Sequence, residues 1–336
     1  MSIDTAEEHI ASENINKNER TSHPHDAVKG VPNRLPSSLI RELSALSPGK
    51  ALFALFLEWL GIAAAIAAYV LTKNPFVYLF AVIFIGARQQ ALTVLGHDAS
   101  HYRFLPNRFW NDWISNFFMQ WPMFISTEGF RKYHGAHHRY LNDEKDGNRF
   151  LWKTHNQEGH LVEEWTYPKS KGQLAAKIIR RGLFFTGLRW IIRGLIGMFV
   201  IRGSLPSMLA RILFYGAFAS WFTMAGLWWE FLLLWIIPLC TWHIVTQYIR
   251  LIAEHSAVQS DVPGYQETRT TIPKVWEALF ILPRNIGYHL EHHWYPSVPF
   301  YNLPALHKAL MDTEEFPRSA NISYSILRSL QEVVKK

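Results

Sequence analysis

Histidine is concentrated in four short segments of this sequence, and its spacing there suits metal binding. Residues three or four apart lie on one face of a helix, so neighbouring imidazoles in such a segment can reach a common ion. Nine nitrogen donors exceed the roughly four that zinc takes and the roughly six that iron takes, which predicts two metal ions. Imidazole binds iron, zinc, copper and nickel alike, so the donors leave the metal open. The nine candidate ligands are His97 and His101 in GHDASH, His134, His137 and His138 in HGAHH, His255 in AEHS, and His289, His292 and His293 in HLEHH.

Polar residues near these segments are candidate supports for the ligands. A carboxylate that accepts a hydrogen bond from the second ring nitrogen fixes the tautomer and orientation of an imidazole. The candidates are Asp98, Asp143, Asp146, Glu254 and Glu291, with Asn285 as a further polar neighbour of the HLEHH segment. The remaining histidines are interpreted as structural or surface residues: His9, His23, His25, His155, His160, His243 and His307.

Composition excludes several other classes of site. Cys240 is the only cysteine among 336 residues, so disulfides within the chain, thiolate zinc sites and bound iron–sulfur clusters are excluded. The formal net charge is +7. The basic residues flank apolar blocks and form no run, so we expect a membrane surface nearby and no nucleic acid partner.

The elements that must position the histidines are predicted to be membrane-spanning helices. About 20 apolar residues cross a bilayer, and four stretches qualify as two hairpins: residues 51–71, 76–96, 208–226 and 227–249. Two weaker stretches, Phe109–Phe124 and Leu183–Ile201, interleave polar residues and are predicted to lie in the membrane interface.

The charge of the loops predicts the orientation. The short turns hold one lysine, Lys73, whereas the insert between the hairpins is rich in Lys and Arg. The positive-inside rule therefore places the insert and both termini in the cytoplasm. All four histidine segments then fall on the same side of the membrane, as they must if they share one site.

These observations predict an all-α integral membrane protein. Its two hairpins and interfacial helices would carry a cytosolic helical cap that holds a histidine-rich di-metal site. We expect a flexible N-terminal tail at residues 1–45, one membrane domain at 46–315 and a C-terminal cytoplasmic tail at 316–336.

The histidine segments also resemble those of a known family. GHDASH, HGAHH and NIGYHLEHHWYPSVPFYNLP resemble the three histidine boxes of membrane fatty-acid desaturases and their hydroxylase relatives. RLIAEHSA followed by Arg269–Thr271 resembles the segment after the fourth span of acyl-lipid desaturases. The resemblance implies that the nine histidines hold two non-haem iron ions and that O2 is the co-substrate. Leu251 departs from the pattern, because some members have there an asparagine that holds a water on one iron.

The function implied is desaturation of a lipid acyl chain taken from the bilayer. Electrons would come from a separate ferredoxin or cytochrome b5-like partner, because the chain has no four-cysteine set and no nucleotide-binding motif. A bacterial inner membrane is the expected location. The alternatives are a hydroxylase or ketolase acting on a lipid, carotenoid or small molecule, a redox-inert zinc hydrolase, and a non-catalytic transport or sensing protein.

Overall fold

A computed structural model describes residues 35–143, 145–148, 167–200, 205–258, 260–265 and 268–334. Most of the predicted N-terminal tail lies outside the described residues, as do five histidines interpreted above as structural or surface residues: His9, His23, His25, His155 and His160. The regular elements of the described part are helices apart from one pair of two-residue strands. The all-α prediction is therefore confirmed.

Four helices are long and apolar enough to cross a membrane, as predicted. They are α2 (Pro48–Thr72), α3 (Pro75–Ser100), α8 (Leu205–Ala225) and a continuous helix from Trp228 to His255. The last comprises α9 (Trp228–Phe231), two π-helical stretches and α10 (Ile244–His255). The second and fourth spans run further than predicted, and these extensions carry His97 and His255.

Local sequence explains the tight turn of the first hairpin. Lys73 ends α2 in the left-handed conformation, with φ of 50°. The Asn74 side chain then accepts hydrogen bonds from the first backbone N–H groups of α3, and Pro75 supplies the φ that a helix start requires. In the second hairpin Gly226, with φ of 67°, makes the turn between α8 and α9.

A buried ion pair network ties the bundle to the cap. Glu58 of α2 is 1% exposed and accepts hydrogen bonds from Arg88 of α3 at 2.9 Å and from Arg284 at 2.5 Å. Losing Glu58 would leave the buried Arg88 without its carboxylate partner, and such a loss costs about 3–5 kcal/mol. Because Arg284 lies five residues before His289, the network helps to fix the segment that carries the HLEHH histidines.

The cap consists of shorter helices above the spans, together with two that were predicted to be interfacial. The first interfacial stretch forms α4 and then one π-helical and one 3-10 turn. The second forms α7. The axes of α6 and α7 differ by 64°, and the two helices together are long and apolar enough to form a further, bent span. The helices are α1 (Ser37–Leu43), α4 (Arg108–Ser115), α5 (Thr127–Arg139), α6 (Lys171–Gly182), α7 (Phe185–Val200), α11 (Val275–Phe280), α12 (His289–Trp294), α13 (Leu303–Met311), α14 (Phe316–Ser319) and α15 (Ile326–Val333).

The C-terminal segment differs from the expected tail. Strand β2 (Ile322–Ser323) pairs in parallel with β1 (Thr270–Thr271), and α15 follows it. Ile326 and Val333 of α15 are buried. The period of these apolar residues is that of one helical face, so the segment packs on the cap through at least residue 333.

Candidate metal centre

The four histidine segments converge at one end of the bundle. His97 lies at the C-terminal end of α3 and His101 just beyond it, while His255 is the last residue of α10. Helices α5 and α12 contribute three histidines each. The C-terminal ends of the second and fourth spans therefore lie on the same side, as a shared site requires.

The nine histidines form two groups. In each group, one ring nitrogen from every member lies within 4.8 Å of the corresponding nitrogens of the others. The five-histidine group comprises His97, His101, His134, His138 and His292, and the four-histidine group comprises His137, His255, His289 and His293.

Helix geometry explains how each cluster of three is divided. Residues four apart differ by about 40° around a helix, whereas residues three apart differ by about 60° in the opposite sense. His134 and His138 therefore stay together while His137 turns to the other group, and His292 likewise separates from His289 and His293. The sequence predicted that the imidazoles of one segment can reach a common ion. In the structure α5 and α12 each contribute to both groups and so link them.

Distances within the groups match those of ligands on a common ion. Two nitrogens that each lie about 2.1 Å from an ion, at right angles, are about 3.0 Å apart. The observed Nε2–Nε2 distances are 2.9 Å for His134–His138, 3.1 Å for His138–His292, 2.9 Å for His255–His289 and 3.1 Å for His289–His293.

Several ring nitrogens lack a hydrogen-bond partner within the described part of the chain. They include the Nε2 atoms of His97, His101 and His137, which are buried. A buried polar atom without a partner costs about 1–3 kcal/mol, so such a cluster of nitrogens is suited to a bound cation. The residues present thus fit two metal ions.

Electrostatics keeps these imidazoles neutral. Burial, with help from Arg103, lowers the pKa of His101 to about 3. Burial and then repulsion between neighbouring histidines hold the pKa of five more well below the ordinary 6.5: His134, His138, His289, His292 and His293. The neutral imidazole is the form that binds a metal.

Two of the predicted carboxylates contact the four-histidine group. Asp146 is buried, and its Oδ1 lies 2.8 Å from Nδ1 of His137. Glu254 accepts a hydrogen bond from Arg250 at 2.7 Å through Oε1, and its Oε2 lies 3.4 Å from Nε2 of His289. Asp146 is therefore placed to orient a ligand, and Glu254 directs an oxygen towards the nitrogens of the group.

The other candidate supports contact the backbone. Asp98 accepts a hydrogen bond from the Phe300 N–H at 2.7 Å, although its second oxygen lies 3.5 Å from Nδ1 of His97. Asn285 donates to the Phe300 carbonyl oxygen at 3.0 Å. Asp143 is exposed and accepts from the Lys145 N–H. In the described part of the chain, the hydrogen bonds of Asn285 and Asp143 are therefore made to the backbone and not to the nine histidines.

Glu291 has a different partner from the one expected. Its Oε1 lies 2.5 Å from Nδ1 of His307, and its Oε2 accepts a hydrogen bond from Thr270 at 2.6 Å. His307 had been interpreted as unconnected with the site. No local pattern joins it to Glu291, because the contact brings two separate helices together.

A cavity of about 630 Å³ opens on the centre. Its inner wall includes four of the nine histidines, namely His134, His137, His255 and His289. Leu251 also lines the cavity, as do residues of α7 that the sequence analysis did not connect with the site. Helix α7 lies far from most of the histidine segments along the chain, and only the fold brings it to the cavity.

This fold and site define a histidine-rich membrane protein suited to two metal ions, and comparison with known proteins identifies the class. The chain matches the fatty acid desaturase family over residues 73–325. It therefore belongs to that family, as its histidine segments predicted, and is an oxidoreductase. The zinc hydrolase and non-catalytic alternatives are accordingly disfavoured.

Individual relatives cover most of the chain. It is 29% identical over 299 residues to dihydrorhizobitoxine desaturase of Bradyrhizobium elkanii, covering 85% of this chain and 82% of the relative. It is 22% identical over 311 residues to sn-1 oleoyl-lipid 12-desaturase of Anabaena variabilis, covering 87% and 84%. A Homo sapiens sphingolipid delta(4)-desaturase/C4-monooxygenase is 27% identical over 241 residues, covering 68% and 64%.

Proposed function

We propose that this protein is a membrane di-iron oxygenase that uses O2 and external electrons to desaturate a fatty acyl chain of a lipid. The observation that carries the proposal is the pair of histidine groups on which a cavity of about 630 Å³ opens. Such a cavity can bring a methylene to the metal centre, and membership of the desaturase family favours iron over the other metals that bind imidazole.

The nine histidines would hold the two iron ions, five on one and four on the other. Iron would supply the activation of O2 that hydrogen removal from an unreactive methylene requires. Asp146 would accept a hydrogen bond from the Nδ1–H of His137 and keep Nε2 of that ring facing the ion. Apolar side chains such as Phe130 and Leu251 would exclude water and position the reacting carbon.

Mass spectrometry tests the reaction directly. Lipids from cells that express the protein should gain a double bond relative to cells without it, and the purified protein should contain iron. His138→Ala and His293→Ala, one from each group, should abolish the product and lower the iron content. His243→Gln is the matched control, because His243 is buried in the fourth span but belongs to neither group. An unchanged product with either alanine variant would contradict the proposal.

Hydroxylation is the second candidate. One relative is named both a desaturase and a C4-monooxygenase, so both outcomes occur in proteins similar to this one. A product heavier by one oxygen, without a new double bond, would favour hydroxylation. Whether desaturation or hydroxylation follows depends on where the substrate carbon lies relative to the centre, because reaction rates are sensitive to displacements of about 1 Å.

We further propose that a separate ferredoxin or cytochrome b5-like protein delivers the electrons at a cytoplasmic face. Removing one pair of hydrogens leaves the reduction of O2 to water half complete, so outside electrons are required. If charge steers docking, the rate of reduction should fall as salt rises. Reduction that is insensitive to salt would count against docking on a basic face.

The cytoplasmic orientation of the centre in a bacterial inner membrane is also a proposal, based on the charge of the loops. Labelling of introduced cysteines can test the orientation, because the single natural cysteine, Cys240, is buried and should not react with the label. In intact cells a membrane-impermeant maleimide should label Lys73→Cys, in the turn between α2 and α3, and spare Lys145→Cys. The reverse pattern would overturn the orientation.

A further inference from the structure

The short helix α11 packs beside the membrane spans, although it belongs to the part of the chain that forms the cap. Arg88 of α3 donates a hydrogen bond to the carbonyl oxygen of Leu279. Nε1 of Trp242, in the fourth span, donates to the carbonyl oxygen of Phe280 at 3.0 Å. Two spans therefore hold the C-terminal end of α11.

The rise of a helix gives the depth at which these contacts lie. The polar turn at 72–74 marks one boundary of a hydrocarbon layer that is about 30 Å thick. Arg88 is 13 residues beyond Pro75 and Trp242 is 14 residues beyond Trp228, so both lie about 20 Å along their spans. Tilting of the spans would only shorten this distance along the membrane normal. The C-terminal end of α11 thus lies about 10 Å inside the hydrocarbon boundary on the cap side.

The backbone at this end of α11 is satisfied in the way that hydrocarbon requires. The last carbonyl groups of a helix have no donor within the helix, and lipid supplies none. Arg88 and Trp242 provide donors for the last two carbonyl groups of α11. The carbonyl oxygen of Glu277 accepts hydrogen bonds from the N–H groups of Ile281 and Leu282, at 2.8 and 2.9 Å.

The outer side of α11 is apolar and exposed. Val275, Trp276 and Leu279 are 89%, 46% and 40% exposed. The Phe280 ring lies 6.4 Å from the ring of Phe80, an exposed residue of α3 in the apolar part of that span. The exposed side of α11 is therefore continuous with the lipid-facing surface of the spans. A contiguous apolar surface of this kind marks a contact with a membrane or a partner, and its depth identifies the membrane.

We propose that residues 275–284 form a re-entrant wedge, which enters the bilayer from the cap side and contacts lipid acyl chains through Trp276 and Leu279. The chain returns from this depth at Arg284, which pairs with the buried Glu58 at 2.5 Å. Arg284 lies five residues before His289. The wedge therefore ties the height of the histidine groups to the lipid, a role that goes beyond the proposed reaction.

Fluorescence quenching in phosphatidylcholine vesicles tests the wedge with the full-length protein. The fluorophore NBD is attached at Leu279→Cys, and the natural Cys240 is buried. The quenchers are phosphatidylcholine brominated at the middle of its acyl chains, and iodide present on both sides of the membrane. We expect the brominated lipid to quench the label several-fold more strongly than iodide does. Trp276→Cys, on the same exposed side, should give the same pattern.

Two matched sites calibrate the result. Leu60 is exposed on α2, 12 residues before Thr72, so Leu60→Cys reports lipid at a similar depth of about 18 Å. Lys308 is exposed on α13 of the cap, so a label at Lys308→Cys should be quenched mainly by iodide. Quenching of the Leu279→Cys label mainly by iodide would place α11 in water and overturn the proposal. Protection from both quenchers would show that protein, such as a second copy of the chain, covers α11, and would overturn it as well.

Discussion

Asp146 illustrates how a single carboxylate would orient a proposed metal ligand, His137. Its contact with Nδ1 of His137 leaves Nε2 of that ring to face the four-histidine group. Asp146→Asn keeps the shape of the side chain but replaces the carboxylate with a weaker hydrogen-bond acceptor. Losing the hydrogen-bond partner of a metal ligand commonly lowers metal affinity about 10–100-fold. We expect this variant to release iron at a chelator concentration lower by about that factor, with Asp143→Asn behaving as the wild type. Equal iron retention by both variants would remove Asp146 from the site.

The lowered pKa values of the histidines predict how stability depends on pH. Between about 3, the pKa of folded His101, and the ordinary 6.5, the unfolded chain binds protons that the folded chain does not. The metal-free protein should therefore lose stability as pH falls through this window and keep it above 6.5. Thermal unfolding at a series of pH values measures this. A midpoint that stays constant or rises as pH falls from about 6.5 to about 5 would contradict the assignment.

Among single residues, some parts of the proposed centre could be predicted from sequence and others could not. The nine histidines were recognisable as candidate ligands because both their type and their spacing suit metal binding. Helix geometry separates His137 from His134 and His138, but which other histidines each of them joins depends on how α5 and α12 are placed against α3 and α10, which no local pattern encodes. The same holds for Glu291, which contacts His307 on α13.

Helix α7 lines one side of the cavity, from Thr186 to Met198, and one of its glycines offers a way to reduce the space inside. Gly197 lines the cavity, and a side chain there would meet nothing within 4 Å. Gly197→Leu should fold normally but fill part of the cavity, so long acyl chains should be converted several-fold less well relative to short ones.

Gly216→Leu is the control for Gly197→Leu, because Gly216 on α8 also has open space but lies outside the cavity. Product analysis with substrates of different chain length makes the comparison. A parallel loss for all lengths, or the same loss with Gly216→Leu, would mean that the acyl chain does not occupy this space.

Helix α15 tests whether the C-terminal segment belongs to the folded cap. Ile326 is fully buried, whereas its neighbour Leu327 is 53% exposed. Ile326→Ala should lower the free energy of unfolding by about 2–5 kcal/mol, and Leu327→Ala should change it by about 0.5 kcal/mol or less. Denaturation in detergent measures both, and similar small effects would restore the interpretation of this segment as a tail.

The spans and the C-terminal helix illustrate why elements differ in predictability. A span must bury about 20 consecutive apolar residues in lipid, so α2 and α3 were evident from sequence. Helix α15 buries one narrow face of a short segment, and strand β2, which precedes it, pairs with β1 some 50 residues earlier. That partner becomes apparent only when the chain has folded.

At the scale of the whole molecule, the protein joins two environments. Four apolar helices suit the bilayer, and the ends of the second and fourth meet α5 and α12 to enclose the histidines. The buried network of Glu58, Arg88 and Arg284 holds the first hairpin to the loop before α12. The cavity then connects the enclosed centre with a face that carries exposed arginines.

The central claim is that two iron ions lie within these two groups of histidines. Anomalous diffraction from crystals of the iron-loaded protein, measured on either side of the iron absorption edge, tests it most directly. We predict two peaks per chain, one among the five imidazoles that include His97 and one among the four that include His255. A single peak, a signal at the zinc edge instead, or peaks away from these imidazoles would contradict the claim.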